Sequence, residues 1–316
     1  MREVSDMEYV RLGRTDLQVS VMGLGCGGPS RIGIRAELPE KESVDIIRTA
    51  IDAGVNFIDT SEVYGTEPIV GAAMKHYDRD RLIISTKKHY RDGLTPASLR
   101  AGLEASLKRL GTDYVDIYNL HAVAPDDYVK LRDEILPSFA ELREEGRIRF
   151  VGVSETFNQD PGHRMLVESL PEGLWDVVMV GFNMLNQSAR DRVLKVTQEK
   201  DIGVQLMFAV RRAFSQPASL LSSLEKLVEL RQLDAADIDW ENPLGFVLEE
   251  SDALSLTEAA YRFCRHEPGV HVVLSGTGNP AHLEQNIAAL MRPPLPDTVV
   301  DRLRHIFRHA EGVTGQ

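Results

Sequence analysis

The chain has 316 residues, of which 43% are hydrophobic and 27% charged, and its formal net charge is −12 at pH 7. This acidity argues against nucleic acid and anionic membranes as partners, because both would repel the chain. No apolar run approaches the roughly 20 residues that span a bilayer, and the N-terminus is too polar for a secretory signal. Two distant cysteines predict no disulfide framework. We therefore expect a soluble, cytoplasmic protein with a sizeable core.

Short apolar runs alternate with longer amphipathic stretches along the chain. The runs are often β-branched, which is typical of strands that are buried on both faces of a parallel sheet. The eight predicted strands are, in order, Val19–Cys26, Asn56–Thr60, Leu82–Lys87, Val115–His121, Ile148–Ser154, Trp175–Asn183, Gly203–Val210 and Gly269–Gly276.

Helices are predicted between these strands. Ser43–Gly54 has apolar residues at helical spacing, Thr95–Gly111 begins with a cap-like Thr-Pro and ends at glycine, and Leu131–Gly146 also ends at glycine. Eight strand–helix units favour a closed (β/α)₈ barrel, as one domain over residues 1–316, instead of a doubly wound sheet. The latter usually has fewer strands and a glycine-rich first turn.

A long insertion, Arg211–Ser251, follows the seventh strand. Its leucines recur at helical spacing over Ser219–Leu233, so part of it is predicted to be a helix. Because the insertion follows a strand, we expect it at the C-terminal face of the barrel, where active sites of such barrels lie. A last helix is predicted around Asp297–His309.

Four polar residues lie at or just after the ends of three consecutive strands: Asp59, Tyr64, Lys87 and His121. Their chemistry suits protonation of a carbonyl oxygen. A lysine ammonium beside a phenol lowers the phenol pKa, and a carboxylate keeps that lysine charged and oriented. The histidine is then able to donate a hydrogen bond to the carbonyl.

Each of these residues also has a structural interpretation. Asp59 would serve as a helix N-cap and Tyr64 as an aromatic at the rim. Lys87, next to Lys88, would be a solvated charge, and His121 a buried structural histidine. Convergence of the four side chains is therefore a prediction that the structure has to test.

With these residues the sequence resembles the aldo-keto reductase superfamily over nearly its whole length. The similar segments are YVRLGRTDLQVSVMGLGCGG, GVNFIDTSEVYGTEPIVGAAM, IISTKK, VDIYNLH, GVS and SGTGNPAHLEQNI. The resemblance implies a (β/α)₈ barrel that binds NADPH without a Rossmann domain and transfers hydride to an aldehyde, a ketone or a sugar. It also implies that Tyr64 is the general acid, Lys87 and Asp59 tune its pKa, and His121 orients the substrate.

The cofactor side departs from the family pattern. Family members usually hold the nicotinamide carboxamide with a Ser-Asn pair and a strand-six glutamine. The residues at these positions here are Ser154, Glu155 and Met179. An aromatic side chain from strand seven commonly stacks on the nicotinamide in this family, and the resemblance implies Met207 or Phe208 for that position.

Family members that prefer NADPH often grip its 2′-phosphate with Lys and Arg near strand eight, where this chain has Gly276 and His282. Either NADH is accepted as well, or Arg211 or Arg212 binds a phosphate. The alternative for this Arg pair is a solvated loop start. Ser275, Thr277 and Gly278 belong to a turn that suits a phosphate at a helix N-terminus, and the resemblance places Gln285 and Asn286 at the adenine.

Two further expectations complete the sequence-based interpretation. Cys264, His266 and His271 match no common zinc spacing, so no metal site is predicted. The alternative to a working reductase is a regulatory barrel subunit that binds the cofactor and turns over little. Neither the physiological substrate nor the oligomeric state follows from the sequence.

Overall fold

The computed structural model describes residues 7–90 and 93–316. Its strands are β1 (Tyr9–Arg11), β2 (Gln18–Ser20), β3 (Met22–Gly25), β4 (Phe57–Asp59), β5 (Ile83–His89), β6 (Val115–Val123), β7 (Ile148–Glu155), β8 (Val177–Gly181), β9 (Gly203–Met207) and β10 (Val272–Ser275). Strands β3 to β10 are parallel and form a closed barrel in chain order, in which β10 pairs with β3. The predicted (β/α)₈ barrel is therefore confirmed.

The N-terminal end of the barrel is closed by a small antiparallel hairpin, β1 and β2. Leu12, Leu17 and Val19 of this segment pack against the inward-facing Phe57 and Val177. The prediction of a single strand over Val19–Cys26 was wrong, because the chain leaves the hairpin at Ser20 and enters the barrel only at Met22.

Helices surround the barrel. They are α1 (Glu40–Asp52), α2 (Glu67–Met74), α3 (Pro96–Leu110), α4 (Pro125–Glu134), α5 (Leu136–Glu144), α6 (Arg164–Ser169), α7 (Lys195–Glu199), α8 (Pro217–Glu229), α9 (Gly245–Glu249), α10 (Leu256–Arg265), α11 (Pro280–Leu290) and α12 (Asp297–Ile306). No helix in the described ranges is long and apolar enough to cross a membrane.

The residues at the two ends of α3 cap the helix as predicted. The Thr95 side chain accepts a hydrogen bond from the Ser98 backbone N–H, and the Ser98 side chain accepts one from the Thr95 N–H. At the other end, Gly111 has a φ of +67°, a conformation that glycine adopts without steric cost.

The prediction of one helix over Leu131–Gly146 was wrong. Helix α4 ends at Glu134, and α5 begins at Leu136 with Pro137 in its first turn. Proline has no N–H to donate, and its ring clashes with the carbonyl group four residues earlier, which here belongs to Asp133. The two short helices therefore meet at Ile135 and do not continue as one.

The insertion after β9 contains α8 and α9 before the chain reaches α10. Helix α8 covers most of the predicted Ser219–Leu233 stretch and buries Leu220, Leu224 and Leu227. Because β9 runs toward the C-terminal end of the barrel, the insertion begins beside the barrel mouth, as predicted.

Candidate active site

The four polar residues selected from the sequence converge at the C-terminal end of the barrel. Asp59 is the last residue of β4, Lys87 lies in β5 and His121 in β6, while Tyr64 is in the loop after β4. Lys87 Nζ is 2.6 Å from Asp59 Oδ2 and 5.0 Å from the centroid of the Tyr64 ring. Tyr64 Oη is 3.2 Å from His121 Nε2. The expected convergence of the four side chains is therefore present, and the interpretation of Lys87 as a solvated charge was wrong, because Lys87 is fully buried.

Lys87 is completely buried and has an acceptor for each of its three ammonium hydrogens. The acceptors are both carboxylate oxygens of Asp59, at 2.7 and 2.6 Å, and the carbonyl oxygen of Thr60 at 2.7 Å. Burial by itself lowers the pKa of Lys87, but Asp59 and Tyr64 outweigh that effect and raise the pKa above its ordinary value. Lys87 is thus a fixed positive charge beneath the phenol.

Asp59 is held by a second set of residues that the sequence interpretation missed. The Ser85 hydroxyl donates to Asp59 Oδ1 at 2.9 Å, and the Asn119 amide donates to the Ser85 oxygen at 3.1 Å. Ser85 and Asn119 are two residues before Lys87 and His121 on the same strands, so the alternation of side chains along a strand directs all four into the barrel. That period of two was the available signal.

Tyr64 lies against the backbone at Gly27, where a Cβ atom would approach its ring to 2.5 Å. Burial raises the pKa of Tyr64, and the nearby Lys87 charge lowers it by less. The expected lowering by Lys87 is thus present but is outweighed by burial. The phenol consequently keeps its proton at neutral pH.

His121 contacts Tyr64 on one side and Ser61 on the other, with Ser61 Oγ 3.2 Å from Nδ1. A register shift in β6 between Leu120 and Val123, together with a φ of +55° at Ala122, turns the strand end at this point. Burial, followed by the charge of Lys87 and by His89, lowers the pKa of His121 to about 2. The imidazole is therefore neutral, with one hydrogen to donate.

On the predicted cofactor side, Glu155 makes interactions within the protein. Its carboxylate is 2.9 Å from Nδ1 of His163 and accepts the Gly181 backbone N–H at 2.8 Å. Glu155 and His163 are both buried, and burial raises the pKa of Glu155. The neighbouring Ser154 is also buried, and its hydroxyl donates to the Glu155 carbonyl oxygen at 3.3 Å.

Met179 and Met207 point into the barrel and form a small apolar cluster with Phe157. Phe208 follows with a φ of +68° and has two stacking partners, the Phe157 ring at 6.1 Å and the Arg211 guanidinium at 3.8 Å. Met207 is buried and Phe208 is half-buried, and the choice between them as the residue that stacks on the nicotinamide stays a prediction.

The two arginines after β9 differ sharply in environment. Arg211 is buried, contacts Asn158 and donates to the Thr314 hydroxyl at 3.1 Å, while Arg212 is exposed. In the described ranges Arg211 has no carboxylate partner, and its Nε has no hydrogen-bond partner. Burial lowers the pKa of Arg211 to about 10, which leaves it charged at neutral pH. A buried cation without an acidic partner suits an anionic ligand.

The turn after β10 divides into inward-facing and outward-facing residues. Ser275 is buried, and its hydroxyl is 2.9 Å from both Tyr261 Oη and Asn286 Nδ2, so Asn286 faces the protein. The Thr277 hydroxyl accepts the Asn279 N–H at 3.0 Å, which shapes the turn into α11. The residues on the solvent side are Gly276, the half-buried Gly278, His282 and Gln285.

Comparisons with known proteins agree with this geometry. The model of the Aldo/keto reductase family matches residues 22–308. The NADH-specific methylglyoxal reductase of Escherichia coli is 27% identical over an alignment of 331 positions, which covers 90% of this chain and 94% of that protein.

Solved structures show the same fold. The holo form of an aldo-keto reductase from Bacillus halodurans aligns with a TM-score of 0.72 and 24% identity over 95% of this chain and 96% of that one. An aldo/keto reductase from Klebsiella pneumoniae, in complex with NADP and acetate, aligns with a TM-score of 0.68 and 23% identity over 95% of each chain. With the family model matched over most of its length, this chain belongs to the aldo/keto reductase family and is an oxidoreductase.

Proposed function

We propose that this protein reduces the carbonyl group of an aldehyde, a ketone or a sugar to an alcohol, with Tyr64 as the general acid. The observation that supports it best is the buried sequence of contacts from Asp59 through Lys87 to the Tyr64 ring, beside a neutral His121. The reduced nicotinamide cofactor, when bound, supplies the hydride to the carbonyl carbon.

In this proposal the protein's own residues supply one proton to the substrate. The Tyr64 hydroxyl donates its proton to the carbonyl oxygen as the carbon receives the hydride, and the phenolate that remains is stabilised by the Lys87 ammonium. Asp59 keeps that ammonium in place. His121 donates a hydrogen bond to the carbonyl oxygen and so orients it toward Tyr64.

The pH dependence follows from these pKa directions. His121 has a pKa of about 2 and stays neutral under assay conditions. Tyr64 acts only while protonated, and its raised pKa retains the proton until the pH passes the ordinary tyrosine value of about 10. We expect kcat for reduction to be constant between about pH 6 and 9 and to fall above about pH 10. Initial rates measured at saturating substrate concentrations test this prediction. A decrease of kcat toward low pH within the range of about pH 6 to 9 would contradict it.

The residues at the barrel mouth fit an anionic nucleotide, and Arg211 is the strongest reason. Its buried charge lacks an acidic partner in the described ranges, whereas His282 and Gln285 on α11 are exposed. We therefore assign Arg211 to the phosphates that NADH and NADPH share. The cofactor is proposed to be NADPH, with NADH as a candidate because Gly276 and His282 replace the usual 2′-phosphate cations and because one relative is named NADH-specific.

Replacement of Arg211 with methionine tests this assignment. Methionine retains an apolar stem over Phe208 and removes the charge, so we expect the Kd of NADH and of NADPH to rise equally, by about tenfold, which corresponds to 1.4 kcal/mol. The matched control is Arg212→Met, at the exposed neighbouring position, with an expected change below about twofold.

Fluorescence titrations of the purified variants measure these affinities. Weaker binding of NADPH alone would place the 2′-phosphate at Arg211 instead. Unchanged binding of both cofactors would leave Arg211 only its contacts with Asn158 and Thr314.

Multiple-turnover assays with a panel of aldehydes, ketones and sugars test the reductase against the regulatory-subunit alternative. A reductase consumes many equivalents of reduced cofactor per protein molecule with at least one carbonyl class. A regulatory subunit retains the cofactor and shows at most about one turnover. Glu155 and Met179 differ from the residues that usually hold the nicotinamide in this family, and this difference is the reason for testing the regulatory function.

A further inference from the structure

Ser61 is a buried hydroxyl in the barrel mouth for which neither the sequence interpretation nor the proposed reaction has a role. It lies two residues after Asp59 and is completely inaccessible to solvent. Its Oγ is 3.2 Å from His121 Nδ1 and 3.4 Å from the carbonyl oxygen of Lys87. The backbone oxygen of Ser61 also accepts the Tyr64 N–H at 3.1 Å, so Ser61 contacts three of the four converging residues.

Ser61 and His121 together have few hydrogens to donate. A neutral imidazole carries one N–H, on either Nδ1 or Nε2, and a serine hydroxyl carries one hydrogen. The Ser61 hydrogen therefore points either to Lys87 O or to His121 Nδ1. The Lys87 carbonyl is the more distant acceptor and also receives the Glu62 backbone N–H at 3.4 Å. Because His121 Nδ1 is the nearer of the two atoms, it is the better acceptor for the hydroxyl hydrogen.

This choice determines what His121 and Tyr64 are able to donate. If Ser61 donates to Nδ1, the imidazole hydrogen lies on Nε2, 3.2 Å from the Tyr64 oxygen. Tyr64 then accepts that hydrogen bond, and its own O–H is free to turn toward a substrate. In the opposite tautomer Tyr64 donates to Nε2, and His121 has no hydrogen left for a carbonyl oxygen.

We propose that Ser61 is a positioning residue that holds His121 as the Nε2–H tautomer and thereby leaves the Tyr64 hydroxyl hydrogen available to the carbonyl oxygen. This inference rests on the proposed function, because it explains how the two donors are kept ready for the same oxygen. It concerns a hydrogen bond that is present in the protein without substrate, so it is testable without catalysis.

The first test is ¹⁵N NMR of the full-length protein with ¹⁵N-labelled histidine. The chain has nine histidines, and the His121 signals are those lost in His121→Gln. We expect Nδ1 of His121 to resonate as an unprotonated ring nitrogen and Nε2 as a protonated one. The reverse pattern in the wild-type protein would overturn the proposal.

The second test uses Ser61→Ala, which removes the donor to Nδ1. We expect the His121 nitrogen signals to move toward a tautomer mixture and kcat for reduction to fall about tenfold, typical of losing one hydrogen bond to the reacting machinery. Ser61→Thr restores a hydroxyl and is expected to recover the Nδ1 signal. The matched control is Ser43→Ala in α1, a buried serine whose hydroxyl has no hydrogen-bond partner in the described ranges, and it is expected to change neither signal nor rate.

The outcomes separate this inference from the proposed function. Unchanged nitrogen signals and rate in a folded Ser61→Ala variant would contradict the role of Ser61 while leaving carbonyl reduction intact. If the variant does not fold, the wild-type spectrum alone decides the tautomer. The predicted tautomer in a protein that reduces no carbonyl would support Ser61 and refute the proposed function.

Discussion

Replacing Tyr64 with phenylalanine is expected to lower kcat for carbonyl reduction by at least about 10²-fold, because the variant lacks the general acid. The ring itself remains, so its packing against Gly27 and its position above Lys87 are preserved. Only the hydroxyl and its contact with His121 Nε2 are lost. Cofactor affinity is therefore expected to stay within about twofold of the wild-type value, since the change costs at most one hydrogen bond outside the nucleotide contacts.

Steady-state kinetics and a cofactor titration of the same preparation provide the measurement. The control is Tyr77→Phe, which removes a phenol that donates to Asp52 at 2.6 Å away from the barrel mouth. Its kcat is expected to match that of the wild type. Turnover at the wild-type rate in Tyr64→Phe would contradict the assignment of Tyr64 as the acid.

The largest expected effect on stability comes from separating Lys87 and Asp59. Lys87→Met leaves the Asp59 carboxylate buried, with the Ser85 hydroxyl as its one remaining side-chain partner among residues 7–90 and 93–316. A buried charge that loses its counterion typically costs about 3–5 kcal/mol. We expect a loss of this size in the free energy of unfolding, together with loss of reductase activity.

The double variant Lys87→Met, Asp59→Leu removes both charges and is expected to recover much of that stability while remaining inactive. Replacing a buried ion pair with apolar residues often leaves the free energy of unfolding nearly unchanged. Urea unfolding followed by circular dichroism measures all variants. Lys88→Met is the neighbouring control: Lys88 pairs with Glu62 at 3.0 Å nearer the surface, and its loss is expected to cost about 1 kcal/mol or less. A double variant less stable than Lys87→Met would contradict this account of the pair.

The barrel was predictable because each strand carries its own signal. Parallel strands that are buried on both faces appear as short apolar runs, and all eight were found in the right order. One of the two errors arose where an apolar run serves two elements. Val19 faces the barrel floor from the hairpin, so hydrophobicity alone did not separate it from the strand that begins at Met22.

Convergence of the four polar residues was predictable from their positions at strand ends, since parallel strands present those ends at one face. The partners that support them were not predicted. The alternation of side chains along β5 was an available signal for Ser85, whereas Ser61 is recognisable only from its distance to His121. The pairing of Glu155 with His163 was missed for the same reason, because the histidine lies in the following loop and no spacing rule links the two residues.

The most direct test of the central claim is an isotope-transfer experiment with the purified wild-type protein. Nicotinamide cofactor that carries deuterium at its reactive carbon, as NADPH and separately as NADH, is incubated with a carbonyl compound that supports turnover or, failing that, with the whole panel. The account predicts an alcohol that carries one deuterium on the former carbonyl carbon, formed by the wild type and at least about 10²-fold more slowly by Tyr64→Phe. Bound cofactor with no deuterium in any product would contradict it.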